Sequence, residues 1–374
     1  MRIAVNTRLL LKNRLEGIGR FSLEILSRVA KSHPEHEFIF IFDRPYDEKF
    51  IFSKNIIPVV IGPQARHPFL FIIWFEISVL RVLKKYRADV FLSPDGFLSL
   101  RAKLPQIAVI HDINFEHYPK DLPPLVLWYY KTFFPRFVRK ATQIVTVSEF
   151  SKTDLIQTYQ TKADKVNIVY NGVKTNYSPI EDAMKQEVKR INTSDCDYFL
   201  YVGALHPRKN LVNLFKSFDI YKERWKTSTK LVVVGNKMWW TKSIQEGYEQ
   251  MTYKDEVVFI PHQSTKELRK IYGAATALVY ISYFEGFGIP IIESFACGTP
   301  VITSNVTSMP EVAGDAAIIV DPFNIDQIVE SLREIEIDSK LRNELIDRGY
   351  ARCKLFNWDN SAVQMWKVLE GILK

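Results

Sequence analysis

Short apolar runs recur along the whole chain at strand length. In the first half they are RIAVN (2–6), EFIFIFD (37–43), IIPVVI (56–61), DVFLS (89–93), QIAVIH (106–111), QIVTVS (143–148) and VNIVY (166–170). Several are separated by stretches with helical apolar spacing, such as FSLEILSRVAKS (21–32). Near-continuous apolar strands alternating with helices predict a parallel sheet covered on both faces. The second half repeats the plan with YFLYVG (198–203), KLVVVG (230–235), VVFI (257–260), ALVYIS (277–282), PVITS (300–304) and AAIIV (316–320). Between the two sets, YNGVKTNYSPIEDAMKQEV (170–188) is rich in turn formers and ends in a charged helical pattern, which puts a linker near 172–180. The expected organisation is α/β, with one doubly wound, Rossmann-like domain at 1–174 and a second at 175–357. The amphipathic SAVQMWKVLEGIL (361–373) places a C-terminal helix in 358–374, lying on the second domain or crossing back to the first. Two such domains facing each other form a cleft at the carboxyl ends of both sheets.

Composition narrows the class. The 374 residues suffice for two domains, and 47% hydrophobic with 25% charged residues is the balance of a soluble globular protein. The longest apolar stretch, FLFIIWFEISVL (69–80), carries Glu76 and is too short to span a bilayer. Cys196, Cys297 and Cys353 are far apart and odd in number, and MRIAVNT opens directly as a strand. The expectation is a cytoplasmic protein with no signal peptide, disulfide framework or cysteine metal motif.

Charge divides the chain unevenly. Up to Lys174 there are 26 Lys and Arg against 16 Asp and Glu, a net +10, while the remainder carries −2. The basic half should face something anionic: a lipid headgroup surface, a phosphate-bearing acceptor or nucleic acid. No helix-turn-helix, RNA-binding sheet signature or zinc finger accompanies it, which sets nucleic acid aside. Two aromatic and basic stretches fit either packing inside the first domain or contact with the inner face of a membrane. They are 122–141, with Lys131, Arg136, Arg139 and Lys140, and 69–85, ending in Arg81, Lys84 and Lys85.

Four loops carry candidate chemistry. EGFGIPIIE (285–293) follows the strand ALVYIS and opens a helix. A helix start offers unpaired N–H groups and a positive dipole end, a seat for an anion. Gly286 and Gly288 let a ligand approach the backbone. Glu285 and Glu293 cannot favour phosphate, so two carboxylates beside an anion seat point to a ligand with hydroxyls as well, such as a nucleotide sugar. The plainer alternative is that Glu285 ends a strand and Glu293 caps or pairs within a helix. YVGALHPRKN (201–210) puts Arg208 and Lys209 just before a helix, where they suit a diphosphate and the charge that grows on it as it departs; they also suit a solvated basic loop. VIHDINFEH (109–117) puts His111 and Asp112 at a strand end, able to bond a sugar hydroxyl or to serve structure alone. EGIGRF (16–21) supplies Gly17 and Gly19 for a tight turn near phosphate, but Ser22 stands where a dinucleotide fingerprint has its third glycine.

These elements, in this order, resemble the retaining glycosyltransferases of family 4, which have the GT-B architecture. The resemblance spans essentially the whole chain. It rests on EGIGRF, the HD of 111–112, TVSEFSKTDL (146–155), YNGV (170–173), VGALHPRKN, EGFGIPIIESFACGTPVI (285–302) and PEVAGDAAIIVDP (310–322). The pair Glu285 and Glu293, with seven residues between them, matches the family's glutamate motif. The resemblance implies that Glu285 contacts the donor sugar and Glu293 the ribose hydroxyls. Backbone N–H groups of Gly286, Phe287, Gly288 and Ile289 would hold sugar and phosphates, and Arg208 and Lys209 would clamp the diphosphate. Gly17 and Gly19 belong to the donor side, with Gly19 meeting the diphosphate from the first domain. His111 would contact the sugar and help orient the acceptor, with Asp112 beside it on the acceptor side. Many members have arginine directly after the VG of the first C-terminal-domain strand, whereas this chain has Ala204, which leaves phosphate neutralisation to Arg208 and Lys209. The PRKN loop is similar to that of bacterial surface-polysaccharide mannosyltransferases. The implied function is transfer of a hexose, first mannose from GDP-mannose, to a lipid-linked or polysaccharide acceptor. The implied path is a front-face, retaining one, with neither cofactor nor metal. Other readings are a sugar-nucleotide 2-epimerase on the same fold, a non-catalytic subunit of a transferase complex and a nicotinamide dehydrogenase, the last opposed by the missing third glycine.

Overall fold

Each apolar run becomes a strand. In the computed structural model, residues 1–12, 15, 17–237 and 240–373 are described; Asn13, Arg14, Glu16, Met238, Trp239 and Lys374 lie outside them, including the glutamate that opens EGIGRF. The first sheet comprises β1 (Arg2–Asn6), β2 (Glu37–Phe42), β3 (Ile56–Val60), β4 (Val90–Ser93), β5 (Gln106–Val109), β6 (Gln143–Thr146) and β7 (Val166–Ile168), in the order β3-β2-β1-β4-β5-β6-β7. The second comprises β8 (Tyr198–Val202), β9 (Lys230–Val234), β10 (Val257–Ile260), β11 (Ala277–Tyr280), β12 (Val301–Ser304) and β13 (Ala317–Val320), in the order β10-β9-β8-β11-β12-β13. Neighbouring strands are parallel throughout. Helices cover both faces, so the central strands β4, β8 and β11 are buried along their whole length and read as unbroken apolar runs.

The chain divides into two compact units, Met1–Asn171 with Trp358–Lys374, and Gly172–Asn357. The C-terminal helix Trp358–Leu373 therefore belongs to the first unit. There Arg28 of the helix Gly17–Ser32 donates to Asp359, and Trp366 stacks on His33 at 3.5 Å between ring centres.

Strand order reverses once in each sheet, between β1 and β4 and between β8 and β11. At such a switch point the connections leave toward opposite faces and open a crevice at the strands' carboxyl ends. The loops that line it are those after β1 and β4 in the first unit and after β8 and β11 in the second.

Both aromatic stretches divide between core and surface. Residues 68–85 form one helical run, α-helical over Pro68–Ile73, a π-helix over Trp74–Val79 and α-helical again over Leu80–Lys85. Its Trp74 and Phe75 are buried, and Glu76 accepts from the backbone N–H groups of Leu100 (2.7 Å) and Arg101 (3.0 Å), which accounts for a carboxylate inside an apolar run. The helix Pro124–Lys140 buries Tyr129, Phe134 and Phe137 around Phe97 but leaves Leu125 and Trp128 exposed. Among the described residues no helix is long and apolar enough to cross a membrane.

Candidate active site

At the second unit's switch point the loops after β8 and β11 bring together three charged side chains that are 76 and 77 residues apart in sequence. After β8 the chain makes a single 3-10 turn, Pro207–Lys209, and Asn210 takes a left-handed conformation (φ +61°) before the helix Leu211–Trp225. Asn210 braces the turn by donating to the carbonyls of Ile281 (3.2 Å) and Pro322 (2.7 Å). Arg208 Nη1 donates to Glu285 Oε2 at 2.7 Å and to the Phe284 carbonyl at 2.9 Å. Lys209 Nζ donates to Glu285 Oε1 and to the Tyr280 hydroxyl, which itself donates to the same carboxylate oxygen at 3.0 Å.

The carboxylate is held in its charged form. Glu285 is only 6% exposed. Burial alone would raise its pKa, but the charges of Arg208 and Lys209 and their hydrogen bonds outweigh it and hold the group at about 2. One carboxylate opposed to two cations leaves the trio with a net single positive charge. Beside it, His206 accepts the Arg208 N–H at Nδ1 (3.3 Å), and burial together with the two cations lowers its pKa to about 4, so it adds no further charge at neutral pH. Burial and the Glu285 charge push the Tyr280 phenol well up, keeping it a hydrogen-bond donor.

The backbone of Glu285 is fixed as well. Its N–H donates to Thr307 Oγ1 (3.3 Å) and its carbonyl accepts from Ser308 Oγ (2.9 Å). Thr307 is in the left-handed region at φ +58°, a costly state for a β-branched residue. Past Glu285, Gly286 and Phe287 lead to Gly288, which caps the helix Ile289–Ala296 at φ +99° with no side-chain cap. A Cβ on Gly288 would lie 2.8 Å from Met309 Cε. The Phe287 ring packs edge-on against Phe356. Glu293 lies further along the same helix, 4% exposed, and accepts from the Tyr272 hydroxyl at 3.2 Å.

In the first unit His111 and Asp112 follow β5. His111 Nε2 lies 3.0 Å from the Pro94 carbonyl, which can only accept, so Nε2 carries the proton. Burial lowers the imidazole pKa, with the carbonyl only partly opposing it. The ring is thus neutral, with Nδ1 as its acceptor nitrogen. It packs edge-on against Phe21 at 4.9 Å, joining the HD loop to the EGIGRF segment. Asp112 accepts the Asn114 N–H at 3.1 Å. Gly17 has open space where a Cβ would be, whereas a Cβ on Gly19 would meet the Leu9 carbonyl oxygen at 2.6 Å. The helix Gly17–Ser32 thus needs that glycine to pack against the loop after β1. Ser22, in place of a third glycine, donates to the Ile18 carbonyl at 2.8 Å. The cluster His33, Glu35 and His36, whose ligand atoms lie within 4.8 Å of one another, is on the turn before β2, at the opposite edge of the sheet from these loops.

Sequence reasoning assigned no role to Tyr280, His206, Asn210, Thr307 or Ser308. Tyr280 ends the strand that leads to Glu285. Thr307 and Ser308 follow β12 at the same sheet edge. Position at a strand's carboxyl end was the available signal.

The chain matches the Glycosyltransferase Family 4 model over residues 15–177 and the Glycosyl transferases group 1 model over 184–352. It is 29% identical over 369 residues to O-antigen chain mannosyltransferase B of Escherichia coli, covering 95% of this chain and 96% of that one. It is also 29% identical to O-antigen chain mannosyltransferase RfbU of Salmonella typhimurium, covering 78% of each chain. Among solved structures, Anabaena Alr3699/HepE in complex with UDP-glucose superposes with a TM-score of 0.76 at 14% identity, over 99% of this chain and all of that one. Two matched family halves in the expected order and the shared architecture make this chain a member of the GT-B glycosyltransferases, with a family 4 first half and a group 1 second half.

Proposed function

We propose that the protein transfers mannose from GDP-mannose, with retention at the anomeric carbon, to a lipid-linked or polysaccharide acceptor. The observation that carries this reading is the convergence of Arg208 and Lys209 on Glu285 at the switch point of the second sheet. When the bond between C1 and the phosphate oxygen breaks, negative charge accumulates on the departing diphosphate. Two cations held in place by Glu285 stabilise that charge at the moment it appears. The backbone of Gly286–Ile289 adds the positive end of a helix. Glu293 takes the ribose hydroxyls, and Glu285 both holds the cations and meets the sugar hydroxyls.

In the first unit, neutral His111 offers Nδ1 to an acceptor hydroxyl, with Asp112 beside it. The new bond from acceptor oxygen to C1 forms on the face from which the phosphate leaves, and the acceptor's proton passes to the released phosphate. Charge stabilisation by Arg208 and Lys209 makes a divalent metal unnecessary. Mannose as the sugar is supported by the two mannosyltransferases of similar sequence. The basic first half supports peripheral contact with the inner face of the cytoplasmic membrane.

The test is incubation with GDP-mannose or UDP-glucose and an alkyl α-mannoside, with the product's anomeric configuration read by NMR. An α-linked mannoside with release of GDP is expected. A β-linked product would overturn retention, and transfer only from UDP-glucose would overturn the mannose assignment.

A further inference from the structure

Five large apolar side chains stand exposed on two neighbouring helices of the first unit. Phe69, Ile73 and Ile77 recur every fourth residue along the helical run 68–85, and Leu125 and Trp128 lie in the first turns of Pro124–Lys140. They are between 38% and 55% exposed. The rings of Phe69 and Trp128 lie 6.4 Å apart, so the two rows meet. Scattered exposed apolar residues need no explanation, but a contiguous row does. Burial of their neighbours Trp74, Phe75, Tyr129 and Phe134 fixes both helices to the core, so the exposed row stands on a rigid base.

Charge decides what the row faces. The two helices carry seven basic residues and a single acid, Glu76, whose carboxylate is already used by the Leu100 and Arg101 amides. Arg81, Lys84 and Lys85 are exposed and continue the helix beyond Ile77. An apolar ridge bearing a tryptophan, followed along the same helix by uncancelled basic groups, matches an interface whose outer layer is anionic and whose inner layer is hydrocarbon.

We propose that this ridge is a bilayer-docking surface: Phe69, Ile73, Ile77, Leu125 and Trp128 enter the headgroup–acyl boundary of an anionic membrane while Arg81, Lys84 and Lys85 engage lipid phosphates. This deepens the reading of a lipid-linked acceptor, and it can fail independently of it, because docking requires neither donor nor turnover.

Sedimentation with phosphatidylcholine vesicles, with and without phosphatidylglycerol, tests it. Wild type is expected to sediment with the anionic vesicles at low salt, to bind the zwitterionic ones far less, and to be partly released at high salt. Phe69→Ser with Trp128→Ser should cut binding at least tenfold at either salt, with the thermal midpoint and nucleotide binding unchanged. Arg81→Gln, Lys84→Gln and Lys85→Gln together should remove the preference for anionic lipid. Absence of binding to anionic vesicles at low salt, or equal binding by the serine variant, would overturn the proposal. A wild-type dimer in solution that the serine variant converts to monomer would reassign the ridge to self-association.

Discussion

Both sheets hold an arginine–carboxylate pair at the switch point, and the two pairs differ in what surrounds them. In the first unit Arg8 Nε donates to Asp95 Oδ2 at 2.6 Å, and Asn6 donates to the other carboxylate oxygen at 2.8 Å. Arg8 also donates to the Ala65 carbonyl, and its guanidinium lies over the rings of Phe97 and Phe71, 4.7 and 5.0 Å from their centres. One cation meets one anion, and aromatic faces cover the cation. In the second unit one carboxylate serves two cations, Arg208 and Lys209. Burial separates the arginines only in part, since the Arg8 side chain is 8% exposed and that of Arg208 21%, while Lys209 is as buried as Arg8. The number of cations gathered on the carboxylate separates the pairs more clearly. A pair closed on itself stabilises its own surroundings, whereas two cations gathered on one carboxylate are, in the proposed function, the groups that meet the departing diphosphate.

The largest effect expected from breaking the comparison is on stability. Arg8→Met leaves Asp95 buried without its cation and should cost about 4 kcal/mol in chemical denaturation. Nucleotide affinity of the folded fraction should be unchanged. Reduced nucleotide affinity with stability intact would mean that the first pair is not merely structural.

Glu285→Gln sharpens the comparison through pH. An ordinary glutamate titrates at 4.5, and the folded carboxyl sits at about 2. A depressed carboxyl contributes stability above its unfolded value and loses it as pH falls toward the folded one. The wild type should therefore exceed Glu285→Gln by about 3 kcal/mol at neutral pH, with the gap closing between pH 4.5 and 2. His206 has its own window. Its folded pKa, about 4 against an ordinary 6.5, makes the native state lose stability as pH falls through that range, and His206→Asn should flatten that stretch of the curve. Denaturation midpoints across pH would separate the two.

A smaller effect is expected at Gly19. A methyl there presses on the Leu9 carbonyl, so Gly19→Ala should cost about 2 kcal/mol through overpacking. Full stability with lost nucleotide binding would mean that the glycine serves a ligand instead of the packing of its helix.

The thirteen strands were legible because buried parallel strands are unbroken apolar runs bounded by turn formers, a local signal. The site was legible only in pieces. Arg208, Lys209 and Glu285 each stood out in their own loop. That the glutamate would bind both cations follows from β8 and β11 being neighbours, which is a property of strand order and not of either loop. Tyr280 looked like one more apolar strand residue until its hydroxyl was seen to bridge Lys209 and Glu285. The tautomer of His111 was out of reach for the same reason, since it depends on the Pro94 carbonyl 17 residues away. The aromatic helices left packing and membrane contact open, because spacing gives two faces and not which one the core takes; the structure buries one face and leaves the other exposed.

The most direct test of the proposal that Arg208 and Lys209 receive a diphosphate is calorimetric titration of GDP and UDP into wild type, Lys209→Ala and Arg8→Met. One nucleotide is expected to bind wild type and Arg8→Met alike, and Lys209→Ala roughly tenfold to a hundredfold more weakly, the loss of one charge-assisted hydrogen bond. Equal affinity of Lys209→Ala and wild type for that nucleotide would contradict the account.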